Sequence, residues 1–282
     1  MSKRRNEVFN GPESDETLRG TPGIQTQELD FEIPVETVPL PSQGLAYAVD
    51  HPLHGAKTIE IKAMTAREED ILTSKAFIKK GTVITELLRS CLIDRRIDPN
   101  TLLSGDRNAL MVAIRITGYG ADYNVEVDCP SCGVKDKYEF NLAELPITSL
   151  GQEPVELGTN RFEFILPMTK KSVTFKFLTG SDEQEIMVAA SRRKKGGMIA
   201  DNLVTNKLQY TITSVDGNTD RSSINHFIRH MPARDSLALR RQMDKIEPGL
   251  EMKGWLDCIS CDESTEVTFP LGASFFWPDT EQ

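Results

Sequence analysis

Apolar and polar residues alternate along Thr58-Ile-Glu-Ile-Lys-Ala63, the period of a half-buried strand. The period then changes. Thr65 with Glu68 three residues on is a capping box, and it predicts a helix whose apolar face runs through Ile71, Leu72, Phe77 and Ile78 to a break at Gly81. Thr82 restarts it, with Ile84, Leu87, Leu88 and Cys91 on one side. Asp98-Pro99-Asn100 reads as another helix start, followed by Leu102 and Leu103. Gly105-Asp106-Arg-Asn caps the next helix, whose face is Leu110, Met111 and Ile114 and whose end is Gly118-Tyr-Gly120. Val125 to Phe140 reads as strand, tight Cys129-x-x-Cys132 turn and strand. Past a Gly/Pro linker, Phe162–Leu166 and Val173–Phe177 form a predicted hairpin, and Thr179-Gly-Ser-Asp182 caps a helix closed by Arg192-Arg-Lys-Lys195-Gly-Gly197. Leu208–Val215 alternates like a strand before the Asp216-Gly217 turn, and two helices follow, Asp220–His230 and Ala233–Ile246. A second strand–Cys258-x-x-Cys261–strand unit spans Trp255 to Phe269. The aromatic tail Phe275-Phe276-Trp277-Pro278 either plugs the core or docks on a partner. Helices mixed with antiparallel hairpins define an α+β fold.

The order of features repeats. Cys129 and Cys132 lie 129 residues before Cys258 and Cys261, and the same offset carries Asp106, Ala109, Leu110 and Gly120 onto Asp235, Ala238, Leu239 and Gly249. Upstream the offset is 114: Lys62-Ala-Met-Thr65 falls on Lys176-Phe-Leu-Thr179, Glu69 on Glu183, and Ala76 on Ala190. This predicts an internal duplication of a helix-plus-β-hairpin unit, with about 15 extra residues in the second copy between roughly 196 and 235. The expected organisation is a disordered or extended arm over 1–34, a first unit over 35–150 and a second over 151–282.

Composition narrows the class. The 282 residues suffice for one large domain or two small ones. The net charge of −9 argues against a chain that coats nucleic acid. No run of 18 or more apolar residues marks a membrane span, and Met1-Ser-Lys-Arg-Arg5 leads into no apolar stretch of a signal peptide. Five cysteines without an export signal point to reduced thiols and metal. Cys91, inside an apolar run, reads as a core thiol.

The remaining four cysteines carry the candidate chemistry. A tight turn aims both sulfurs of a Cys-x-x-Cys pair the same way. Two such hairpins supply Cys129, Cys132, Cys258 and Cys261, the four thiolates of one tetrahedral Zn²⁺. With no open coordination position, such a site is structural. The competing set joins Cys258 and Cys261 to His226 and His230, spaced i, i+4 on a predicted helix, although the first unit offers no equivalent pair. A redox role is disfavoured because the flanks read as strands. His51 and His54 sit beside Pro52 and Gly55 and read as loop residues. No phosphate loop, dinucleotide fingerprint, zincin motif or nucleophile elbow is present, and no acid–base pair assembles, so the expectation is a chain without catalytic residues.

Pro39-Leu-Pro-Ser-Gln-Gly44, Met64-Thr-Ala-Arg-Glu-Glu-Asp-Ile-Leu72, Gly105-Asp-Arg-Asn-Ala-Leu110 and Gly118-Tyr-Gly120, followed by Asp128-Cys-Pro-Ser-Cys-Gly133, resemble the T4-type bacteriophage baseplate protein family, which includes a baseplate hub subunit of contractile-tailed phages. The likeness is strongest over roughly 38 to 150 and looser beyond. It implies a non-enzymatic structural or assembly protein whose partners are other tail or baseplate proteins. It implies work in the host cytoplasm during assembly, and it leaves two outcomes: retention in the virion tail baseplate, or release as a transient assembly chaperone. A zinc-ribbon module for nucleic acid is a third reading, disfavoured by the acidic balance and by the lack of interleaved basic and aromatic residues at the knuckles. The family supplies no catalytic residues, and its shorter members need not share the second cysteine pair or the long N-terminal arm, so the zinc expectation rests on this sequence.

Overall fold

The computed structural model describes residues 32–195, 203–268 and 271–277. The expected N-terminal arm therefore lies, through residue 31, outside the described residues, as do Gly196, Gly197, Phe269 and Pro278. Within them the fold is α+β, with helices alternating with small antiparallel sheets.

The chain enters on β1 (Val35–Pro39), which pairs antiparallel with β2 (Thr58–Lys62) in the register Val38↔Ile59. Ile59 and Ile61 turn inward, as the alternation predicted. Three short helices follow: α1 (Ala66–Thr73), α2 (Lys75–Lys80) and α3 (Val83–Cys91). The helix expected to run unbroken to Gly81 is split at Ser74, whose backbone is extended. Thr73 competes there for the helix carbonyls, its hydroxyl donating back to Glu69 and Asp70. Cys91 is buried in the core, as expected. Asp98 to Leu102 forms a turn and not a helix: the Asp98 carboxylate accepts from the Asn100 amide, a side-chain mimic of a backbone turn. Then come α4 (Ser104–Tyr119), a hairpin of β3 (Asp122–Asp128) and β4 (Lys135–Asn141), and the two-residue β5 (Ile147–Thr148).

The second half opens on the hairpin β6 (Phe162–Ile165) and β7 (Ser172–Phe175), then α5 (Gly180–Lys195) and α6 (Leu203–Thr211). The basic run Arg192–Lys195 closes α5, and its side chains lie outside the described set. Leu208–Val215, expected as one strand, is helix to Thr211 and then β8 (Ile212–Val215) on the edge of β7. Leu208 and Ile212 are both buried, and their separation of four satisfies the helical period as well as the alternating one. The helices α7 (Arg221–His230) and α8 (Ala233–Ile246), the short β9 (Gly249–Leu250) and a last hairpin of β10 (Lys253–Asp257) and β11 (Ser264–Thr268) complete the fold.

Both halves feed one apolar core. Phe162, Phe175 and Phe177 stack within it, the first and last 4.5 Å apart between ring centroids. Burial of each ring contributes about 2 kcal/mol. Strand β5 pairs with β9, and Leu103 bridges Thr179, so backbone hydrogen bonds also cross between the halves. Gly105 makes a close approach possible: a Cβ there would stand 1.8 Å from the Pro248 carbonyl oxygen. The tail Phe275 and Phe276 are fully buried, Phe275 lying 5.1 Å from the Tyr123 ring, so this stretch does plug the core.

The halves also share hydrogen-bond patterns. Lys62 pairs with Glu68 at 2.8 Å, and the Thr65 amide and hydroxyl both donate to that carboxylate. Lys176 pairs with Asp182 at 2.7 Å, and the Thr179 amide and hydroxyl donate in the same way. Asp106, expected as a cap, is instead the third residue of α4 and reaches across to the β1–β2 connection, accepting from the Ser42 amide and hydroxyl and the Tyr47 phenol. Asp235, third in α8, accepts from the Met168 and Thr169 amides and the Thr169 hydroxyl in the β6–β7 connection. Leu92 after α3 bridges Ile61, and Ile212 after α6 pairs with Phe175. Between α3 and α4 the chain only turns, whereas α7 fills the corresponding interval of the second half.

Candidate metal centre

Each cysteine pair closes a hairpin in the same register. Asp128 faces Lys135 in the first and Asp257 faces Ser264 in the second, each at the last rung before the turn. The turns repeat as well. The Cys129 amide donates to Val134 and the Gly133 amide to the Cys129 carbonyl; the Cys258 amide donates to Glu263 and the Asp262 amide to the Cys258 carbonyl. The fourth residue after the leading cysteine must turn left-handed to close this loop, with φ of 73° at Gly133 and 52° at Asp262. Glycine takes that conformation freely and aspartate tolerates it.

The turns bring all four sulfurs together: the Sγ atoms of Cys129, Cys132, Cys258 and Cys261 lie within 4.8 Å of one another. Between the hairpins Cys129 lies 3.9 Å from Cys261 and Cys132 lies 3.7 Å from Cys258. The leading cysteine of one hairpin thus meets the trailing cysteine of the other, in both directions, the reciprocal pattern of a local twofold. A tetrahedral ion with bonds of about 2.3 Å to sulfur needs sulfurs about 3.8 Å apart, so the donors fit. Cys129 and Cys258 are buried and Cys132 and Cys261 reach the surface.

The electrostatics favour the thiolate at Cys258 and oppose it at Cys132 and Cys261. Amides of Ser260 and Cys261 point at the Cys258 sulfur and lower that thiol to about 7. The Glu263 amide favours the Cys261 thiolate too, but desolvation and the three neighbouring sulfurs outweigh it and push Cys261 up to about 12. Four converging thiols cannot all ionise without a counter-charge, and a divalent cation supplies one.

The histidines do not join. His226 and His230 are exposed on α7 and stack on each other, ring centroids 4.3 Å apart, with His230 Nδ1 against the His226 carbonyl oxygen. Among the described residues the metal-competent cluster contains cysteines alone. His51 and His54 hold the loop they sit in, bonded to Thr101 and to the Tyr47 carbonyl.

A family model described as T4 bacteriophage base plate protein matches residues 46–277. The chain belongs to this family. The match takes in both hairpins and all four cysteines of this baseplate protein, beyond the segment where its motifs are most recognisable. It makes the chain a structural protein of the phage tail baseplate, working among other tail and baseplate proteins. No curated protein and no solved structure matches it. Among the described residues no helix is long and apolar enough to cross a membrane.

Sequence reasoning named the four cysteines that the two hairpins bring together. It missed the left-handed positions Gly133 and Asp262, for which Cys-x-x-Cys-Gly in the first turn was a signal and Asp262 was not. It also assigned Asp106 to the wrong partner, since Ser42 lies 64 residues upstream.

Proposed function

We propose that this baseplate protein is a subunit of the baseplate hub, built from two copies of one unit and stapled by a structural zinc held by Cys129, Cys132, Cys258 and Cys261. The observation that carries the metal is the convergence of four sulfurs, paired across hairpins at 3.7 and 3.9 Å. All four positions of a tetrahedral ion would be taken by protein, so the zinc would supply rigidity and no reaction chemistry. It would fix the two hairpins to each other and add its binding free energy to folding.

Duplication is supported by the matched pairs Lys62–Glu68 and Lys176–Asp182 and by the two turn-binding carboxylates, Asp106 and Asp235. On this reading the copies are 35–150 and 151–282, and α7 is the main insertion in the second. Hub membership and transient service in assembly differ in one observable: a hub subunit is present in purified virions. Nucleic-acid binding through the knuckles is opposed by Asp257, Asp262 and Glu263, exposed around the second turn, because phosphate recognition needs the opposite charge.

The deciding experiment is metal content per chain, on protein purified without added zinc, for wild type and Cys258→Ser. One zinc per chain, lost in the variant together with thermal stability, is expected. Two zincs would mean separate sites, and none in freshly reduced protein would remove the staple.

A further inference from the structure

The two cysteine turns match at the sulfurs and diverge on their outer faces. Trp255 stands where the first hairpin has Glu126, and Ile259 where it has Pro130. Trp255 is 69% exposed and Ile259 81%, two of the most exposed large apolar side chains among the described residues. Nothing about holding a metal asks for this, since the first hairpin does without it. Around them Asp257, Asp262 and Glu263 are exposed and enter no ion pair among the described residues. The second turn is therefore an apolar knob with an acidic rim.

Its complement lies elsewhere on the chain. Between α1, α2 and α3 a cavity of about 440 Å³ has half-buried Ile71 and Phe77 in its wall, with three cations, Arg67, Arg89 and Arg95, and one carboxylate, Glu86, around it. Arg89 is held in place by Glu86 at 2.6 Å and Asp98 at 3.2 Å, and Arg95 donates to the Arg89 carbonyl at 2.6 Å. Arg67 is exposed and has no ion-pair partner among the described residues. Helix α2 adds Lys75, Lys79 and Lys80 beside Phe77 and no acid. In a chain of net charge −9 this concentration of cations is local.

We propose that the protein associates with itself head to tail, the Trp255–Ile259 knob of one copy seating in the Arg67–Arg89–Arg95 hollow of the next. Both complementary surfaces are carried by this one chain. Apolar groups meet apolar groups, and three unpaired carboxylates meet the arginines. Aromatic anchors entering pockets carry most of the energy of such contacts, and opposite charge sets register and encounter rate. Because the two surfaces differ, the contact is heterologous and propagates until it closes into a ring or continues as a filament. The inference rests on the zinc reading only for the rigidity of the knob.

Sedimentation of the full chain across protein concentration tests it, with zinc measured on the same samples. Wild type is expected to shift from monomer to higher species as concentration rises, and added salt to weaken the shift. Ile259→Asp is expected to weaken association at least tenfold. Two charge-reversed variants, Arg67→Glu/Arg95→Glu and Asp257→Lys/Glu263→Lys, are each expected to stay monomeric. An equimolar mixture of the two is expected to associate again, since each interface in it is then matched in charge. That rescue also shows that both variants are folded. Wild type that stays monomeric, variants that associate like wild type, or a mixture that fails to associate would overturn the inference. Zinc-bound monomer would do so while leaving the metal site standing. Zinc-free protein that still associates would uphold the inference and remove the zinc staple.

Discussion

Asp106 and Asp235 occupy the same helical position in the two halves, each buried and each binding the loop of a hairpin, yet their acidities move in opposite directions. Burial raises Asp106 despite hydrogen bonds from Ser42 and Tyr47. Asp235 is also pushed up by desolvation, but donors on Thr169 and Met168 win and its net shift is downward. The difference lies in what covers them. Asp106 accepts from the buried Tyr47 phenol in the shared core, whereas Asp235 is roofed by a turn whose Met168 is 60% exposed. A local motif can thus be repeated while its energetics are set by what surrounds it. The Tyr47 phenol is itself raised by burial and by the Asp106 charge beside it, consistent with a site closed to water.

The sharpest test of equivalence is at the sulfurs. Cys132→Ser and Cys261→Ser, one in each hairpin, should both release the metal completely and lower Tm by about the same amount, upwards of about 10 °C. Retention of metal in either variant would break the shared site. The next effect separates the halves. Gly105→Ala drives a methyl into the Pro248 carbonyl and should cost about 3–4 kcal/mol in urea unfolding. Arg234→Ala, at the matching exposed position of α8, should stay within about 0.5 kcal/mol. A smaller contrast comes from the carboxylates. Asp106→Ala leaves a buried phenol, hydroxyl and amide without their acceptor and should cost about 3 kcal/mol, against about 2 kcal/mol for Asp235→Ala. Equal values would mean that the surroundings do not matter here.

The last contrast is a pH dependence. Burial would raise Glu68, but Lys62, Ser90 and Thr65 hydrogen-bond to it and hold it at about 2. A carboxylate depressed in the folded state stabilises the fold above its unfolded value of about 4.3, and that contribution disappears as pH falls toward 2. Glu68→Gln should therefore lower the urea midpoint at pH 7 and flatten its fall between about pH 4 and pH 2. An unchanged acid limb would show that Glu68 is not the group responsible.

Much of this was legible in the chain because it is local. The Thr65–Glu68 box, the alternation of Thr58–Ala63, the Asp216-Gly217 turn and both Cys-x-x-Cys hairpins are decided by residues a few positions apart. The cysteine set was legible for another reason: hairpins of known geometry carry their sulfurs at the tip, and four is the number one ion takes. What failed depended on distant partners or on ambiguous periods. Nothing near Asp106 signals that its acceptors serve Ser42 and Tyr47. Leu208 and Ile212, four residues apart, fit helix and strand alike, and the chain uses one and then the other.

The sulfurs that meet across the hairpins are separated by at least 126 positions along the chain. At a ribosomal pace of about 5–20 residues per second, the first pair emerges on the order of 10 s before the second. Until then the nascent chain holds two thiols and no staple. Only when the last hairpin and the Phe275–Phe276 plug have been synthesised do all the donors exist together. On the proposed zinc reading, metal uptake at this centre would therefore act as a proofreading step on translation: a chain that stops early would keep its first cysteine pair open to chelators, oxidants and proteases, and only a finished one would lock.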